Sequence, residues 1–429
     1  ADPADGEARE AAERLAAEHG LWDDLVATYE TALAATDDSV VQTDLLRAIA
    51  STHDQRRDDP RSAIDAYNRL FAIDETQLDV LDLLENLHVL LSDWAGHVEV
   101  LERKVARSLD DEIRTFLLRQ IGEQQRDMLN DPDKAVDAFQ RALEIDPGDV
   151  ASLEALDGLY VARRDVRRLA DVLQQRLDIE PDVELRRVTA LRLGKLWEVD
   201  LDDAQRAIDA YRRVLDDVAD DRDALGALER LYARQQSWSD LLENLRTQAA
   251  LATEDAARTP LRLRIGALLA ERLHEPEAAL EAYREVLEVE PGNAEAITAV
   301  RGLAEDDGHR AAAVEILEPL FRTARRWDDL VAVVELKLSG VDDPAARLTE
   351  LKRLAQVHES GRADLPSAFA TWRRALHEDP SDFDARMELE RFAGALQRWA
   401  DLVAVLQEES AATGDPTVGG ELAVLAAEL

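Results

Sequence analysis

The sequence predicts an all-α solenoid of stacked antiparallel helix pairs, built on a four-helix unit that repeats every 72 residues. Three observations predict it: residue columns that share one period, apolar residues at helical spacing, and capping residues on the same beat. Tyr67 recurs as Phe139, Tyr211 and Tyr283, each 72 residues on. A small residue keeps that interval at Ala50, Gly122, Gly194 and Gly266, and an apolar one at Leu84, Leu156, Leu228 and Val300. Trp22, Trp94 and Trp238 open segments on the same period, with Val166 in the third copy. Beyond residue 300 the columns jump by 89, to Trp372, Ala355 and Leu389, and the beat resumes from Trp327 to Trp399. Repetition of this kind marks an array, because one helical hairpin cannot bury both of its apolar sides alone.

The four elements of a unit follow in order, with 94–165 as the example. They are WAGHVEVLERKV, IRTFLLRQIGEQQRDML, PDKAVDAFQRALEI and VASLEALDGLYVAR. In the second, Leu117, Leu118 and Ile121 share a face, and no period-two alternation competes with it. The third opens on Asp131-Pro132, a capping residue before proline at the first helical position. Asp149, Asp221, Asn293 and Asp382 cap the fourth helix. Breaks of a few residues force consecutive helices antiparallel. The units so defined are 22–93, 94–165, 166–237, 238–309 and 327–398.

Residues 1–21 read as the end of a preceding unit, and 399–429 as a partial one. Both ends stop in mid-unit, which reads as a piece of a longer solenoid with open apolar ends. Residues 310–326 repeat the fourth-helix spacing. They predict an inserted extra helix, bent at Pro319 and changing the direction of the stack.

Ala135, Phe139, Ala142 and Pro147 stand at spacings of 4, 3 and 5, as do Ala279, Tyr283, Val286 and Pro291, and Ala368, Trp372, Ala375 and Pro380. With Ile121-Gly122 and Ile265-Gly266 before them, these residues resemble the tetratricopeptide (TPR) repeat. One extra residue separates the glycine from the alanine. The resemblance covers nearly the whole chain. It implies a right-handed superhelix whose concave groove is lined by the second and fourth helices of each unit. Mapped onto this sequence, the groove positions give a basic column, Arg47, Arg119, Leu191, Leu263 and Lys352. Facing it is an acidic one, Glu85, Asp157, Glu229, Arg301 and Glu390. Opposite signs on adjacent helices imply inter-helix ion pairs. Leu191 and Leu263, with Val188 and Pro260 beside them, form an expected apolar binding patch at mid-groove. Trp197 takes the family's core tyrosine position. A further column, Arg114, Arg186, Arg258 and Arg347, is read as structural, with packed stems and paired heads.

The 429 residues carry 51 basic and 91 acidic side chains, a net charge of −40. Such a surface repels phosphate backbones, so nucleic acid is excluded as a general partner. No apolar run approaches the length of a membrane span, and no signal-peptide layout opens the chain. Zero cysteines exclude thiolate chemistry without fixing a compartment, and the balance leans toward the cytoplasm. Eight histidines are scattered without metal-ligand spacing, no phosphate-cradling or nucleophile motif is present, and no cofactor is implied. The sequence therefore points to a non-enzymatic scaffold that holds a protein partner, basic at its edges, in the groove. A self-assembling solenoid, and the recruiting arm of an enzyme whose catalytic domain lies elsewhere, are the alternatives.

Overall fold

Helix follows helix along the whole computed structural model, which describes residues 6–429 and contains no strand among them. The chain divides into two compact bodies, up to Ala219 and from Asp220 onward. The first holds α1 (Gly6–His19), α2 (Trp22–Ala34), α3 (Ser39–Arg56), α4 (Pro60–Ile73), α5 (Asp79–Leu90) and α6 (Trp94–Arg107). It continues with α7 (Asp111–Asp127), α8 (Pro132–Ile145), α9 (Val150–Arg163), α10 (Val166–Ile179), α11 (Val183–Lys195) and α12 (Ala204–Asp217). The second holds α13 (Arg222–Gln235), α14 (Trp238–Leu251), α15 (Asp255–Leu268), α16 (Pro276–Val289), α17 (Ala294–Leu303) and α18 (Arg310–Thr323). Its remaining helices are α19 (Trp327–Ser339), α20 (Pro344–Gln356), α21 (Leu365–Glu378), α22 (Phe383–Leu396), α23 (Trp399–Ala412) and α24 (Pro416–Glu428). Within each body consecutive helices pack on one another. No described helix is long and apolar enough to cross a membrane. Residues 1–5 of the expected leading segment lie outside the described residues.

The caps sit where the sequence places them. Asp131 accepts from the Lys134 amide at 3.1 Å, Asp149 from Ser152 at 3.1 Å and Asp382 from Ala385 at 2.8 Å. Each satisfies an amide that the helix itself leaves unpaired. The small-residue and aromatic columns meet across the second and third helices. A β-carbon on Gly122 would lie 2.7 Å from the Phe139 ring, and one on Gly266 would lie 2.6 Å from Tyr283. Phe139 and Tyr283 are buried as wedges in these seams.

The extra residue in the TPR-like pattern has a structural cause. After α11, α15 and α20 the backbone widens into π turns at Leu196–Asp200, Leu269–Leu273 and Val357–Gly361. A π turn takes up one inserted residue without breaking the helix. The helix ends α3 and α7 do the same with single wide bonds, Arg57 N–H to the Thr52 carbonyl and Leu129 N–H to that of Gln124. Each of these five ends then turns through a left-handed residue, Asp58, Asn130, Asp202, His274 or Ala363, with φ of 50–56°. None is glycine, so the usual sequence mark of a helix end is missing.

Two of those ends carry a buried histidine, His53 and His358. Burial pushes both imidazoles below their ordinary value of 6.5, and the neighbouring Arg57 and Arg362 push the same way. Arg57 Nη1 donates to His53 Nδ1 at 3.1 Å, and Arg362 Nη1 to His358 Nδ1 at 3.2 Å. Asp59 and Asp364 oppose the shift without reversing it. The unfolded chain therefore takes up these protons first. The stability contribution is full above about pH 6.5 and falls away as pH drops below it. Replacing both with glutamine, the residue at the matching position 125, should remove that part of the acid sensitivity. Melting curves at about pH 7.5 and 5.5 check this; an equal drop in wild type and variant would refute it.

Candidate functional site

The face carried by the second and fourth helices is laced with ion pairs, in a different register from the expected one. Arg47, on α3, bonds Asp79 at 2.6 Å and Gln77 at 2.8 Å. Arg119, on α7, bonds Asp149 at 2.9 Å, and Lys352, on α20, bonds Asp382 at 2.7 Å and Asp384 at 2.9 Å. The basic column thus grips the first turn of the following fourth helix and not the acidic column. Asp149 and Asp382 each cap a helix with one oxygen and hold a cation with the other.

The acidic column reaches elsewhere. Asp157 takes a two-pronged bond from Arg192 at 2.6 and 2.7 Å, and Glu229 takes one from Arg264 at 2.5 Å, both 35 residues on. Glu85 is held by Lys104, and Arg301 by Asp329. Glu390 is half-buried on α22. Glu318, on α18, pairs with Arg353, again 35 residues on. That helix therefore presents its carboxylate to α20 as α9 does to α11, and it runs unbroken through Pro319. Burial pushes the Glu229 carboxyl up, but the bonds from Arg264 and Gln248 hold it below its ordinary value. Burial likewise opposes the charge on Lys352, yet Asp382 and Asp384 hold its ammonium above the usual lysine range. The more exposed of these pairs contribute about 0–1 kcal/mol each.

The helix-start arginines are each paired, Arg114 with Asp111 at 2.9 Å and Arg258 with Asp255 at 3.0 Å within their own helices. Arg186 forks onto Asp217 at 2.9 Å and donates to the carbonyls of Glu180 and Pro181, while Arg347 bonds Glu378 and the carbonyls of Leu338 and Val341.

The apolar patch needs correction. Leu263 is 8% exposed and belongs to the core of the second body, because α15 turns this position onto its neighbours. Pro260, on the same helix, is exposed. In the first body Leu191 is half-buried and Val188 is 51% exposed. Two groups of exposed apolar residues were missed, Ile113 and Phe116 on α7 and Leu185 beside Val188 on α11. The signal was available, since Phe116 precedes Val188 by 72 residues. Arg119 lies 5.6 Å above the Phe116 ring, and both line a groove that runs to Ile145 and Asp149. Helix α9 is tied to α7 through Arg119–Asp149 and to α11 through Arg192–Asp157. The result is an ionic strip edged on two helices by exposed apolar side chains.

This architecture defines a class, an array of antiparallel helix pairs that offers one helix face as a surface. A tetratricopeptide-repeat family model matches residues 129–149. With the repeated helix pairs around that segment, the chain is a TPR-like helical repeat protein. No curated protein sequence matches it. Among solved structures it is similar to Naa15/Naa10 bound to HypK-THB, at 13% identity and a TM-score of 0.31, over 96% of this chain and 64% of that one. It is also similar to YrrB, a TPR protein with an unusual peptide-binding site, at 14% identity and a TM-score of 0.24, over 46% and 96% of the two chains. A third is PilF of Pseudomonas aeruginosa, at 17% identity and a TM-score of 0.24, over 51% and 95%. The chain therefore spans less than two thirds of the first of these, 64%.

Proposed function

We propose that the chain is a non-catalytic protein-interaction scaffold, and that the α7–α9–α11 face takes a partner protein. The supporting observation is the exposure of Ile113, Phe116, Leu185 and Val188 around the Arg192–Asp157 pair, on a chain of net charge −40. Apolar anchors ringed by charge are where binding energy concentrates. An aromatic already stacked under Arg119 loses little freedom on contact. The partner in this reading is basic at its edges, and the charge sets association rate and salt dependence more than affinity.

The test is Phe116→Glu combined with Val188→Glu, used as bait beside the wild type and read by mass spectrometry. Both side chains are about half exposed, so the fold is retained, as circular dichroism would show. Loss of anchors of this kind weakens binding by about 2 kcal/mol or more, roughly thirtyfold. A partner captured equally by both baits would defeat the proposal. Leu263→Glu does not serve, because it would bury a charge.

A further inference from the structure

The first and third helices of each unit carry their own recurrent contact, on helices other than those of the candidate face. Arg69 forks onto Glu30 at 2.7 and 3.0 Å, Arg141 onto Glu102 at 2.7 and 2.8 Å, and Arg374 onto Glu335 at 2.6 and 3.0 Å. The partners are 39 residues apart in each case. Between α10 and α12 the same two positions hold Gln174 and Arg213, 72 residues after Glu102 and Arg141. The arginine is kept and its carboxylate is gone. Gln174 donates instead to Asp178 at 3.1 Å. No carboxylate among the described residues bonds Arg213: Asp217, one turn on, feels its charge but is forked by Arg186, and Asp171 and Asp209 line the same groove without bonding it.

Where the fork pair is missing, the surface opens into a groove of ≈ 430 Å³, a size that side chains of a bound peptide fill. Ala170, Leu177, Ala210 and Trp197 form its floor, all buried side chains with one apolar edge toward the opening. Arg206 stacks 4.5 Å above the Trp197 ring and reaches Asp203 only at 3.5 Å, which leaves a second guanidinium at the rim. In the next unit the positions are charge-swapped, Arg246 and Glu285, and Glu285 is taken by Arg262 at 2.8 Å. There Arg246 also pairs with no carboxylate among the described residues, in a groove of ≈ 450 Å³ that has Glu285 at its other fork position, whereas the α10–α12 groove has no carboxylate at either fork position.

We infer that this groove binds a glutamate or aspartate side chain of a partner peptide, whose carboxylate takes the place that Glu30, Glu102 and Glu335 fill in the other units. Arginine's planar fork fits a carboxylate two-pronged, and the three intramolecular pairs show the geometry that this position supports. The net charge of −40 opposes an acidic partner at long range. The apolar floor must supply part of the binding, so the recognised carboxylate is one flanked by apolar residues.

The probe is a fluorescent pentapeptide, Ala-Leu-Glu-Leu-Ala, compared with its Gln counterpart by anisotropy, with the Trp197 indole followed by NMR. The wild type should prefer the Glu peptide by about tenfold, the worth of one charge-assisted hydrogen bond. Gln174→Glu rebuilds the intramolecular fork, so it should erase that preference while keeping the native melting transition. Arg213→Gln should erase it too, by removing the guanidinium that donates to the carboxylate. The inference is overturned if the wild type binds the two peptides alike, including binding neither, or if Gln174→Glu keeps the preference.

Discussion

Truncating Tyr283 to alanine should cost about 3–5 kcal/mol, as for other buried aromatics of the stack. The ring is 4% exposed and fills the seam between α15 and α16 above Gly266. Burial pushes its phenol up to about 12, so the ring titrates only far outside the physiological range. Nothing else at that seam can close on the space, because a buried aromatic is far larger than any shift the packed helices allow. Stability in a repeat array is a sum of neighbour terms, so the loss should be concentrated locally. Hydrogen exchange over 255–289, read with denaturant melts, checks both the size and the place. Protection unchanged there would show that the aromatic column does not hold the stack together.

The complementary change is Gly266→Val. A β-carbon at this position would already stand 2.6 Å from the Tyr283 ring, closer than packed atoms approach. Two further methyl groups force the ring or the helix aside, at about 1–3 kcal/mol, even though valine suits a helix better than glycine. Ala50 and Ala355 occupy the same column beside Tyr67 and Trp372, so a single methyl is accommodated where the ring sits accordingly. That is why valine, and not alanine, is the informative substitution. A variant as stable as the wild type would mean that the small-residue column answers to something other than helix approach. Wedge and notch are two halves of one contact, and their joint variant should depart from additivity.

Much of the fold is legible in the sequence because its signals are local. Apolar residues three and four apart, an aspartate before a proline, and a break of a few residues each act within a turn or two of helix. The aspartates at 131, 149 and 382 accept the predicted amides. A helix spans Arg310–Thr323. The helix ends were less legible, since their left-handed residues are Asp, Asn, His and Ala in place of glycine.

The site was readable only in part. The sequence showed which positions carry charge, and the expected pairing of the two columns proved to be in the wrong register. It could not show that Arg119 would choose Asp149 over Asp157, or that Asp157 would wait for Arg192 on a later helix. Those choices depend on the stagger of helices about 30–40 residues apart in the chain, set by how ridges of side chains interlock. The same stagger buries Leu263, leaves Phe116 and Val188 in solvent, and opens the groove over Trp197 where a carboxylate is missing. The sequence by itself determined the helices, their caps and the residues that wedge them together, because those are written within a turn or two of chain. Only the tertiary structure decided which charges are matched and which arginine is left waiting, because partnership is a distance between helices that no single stretch of sequence contains.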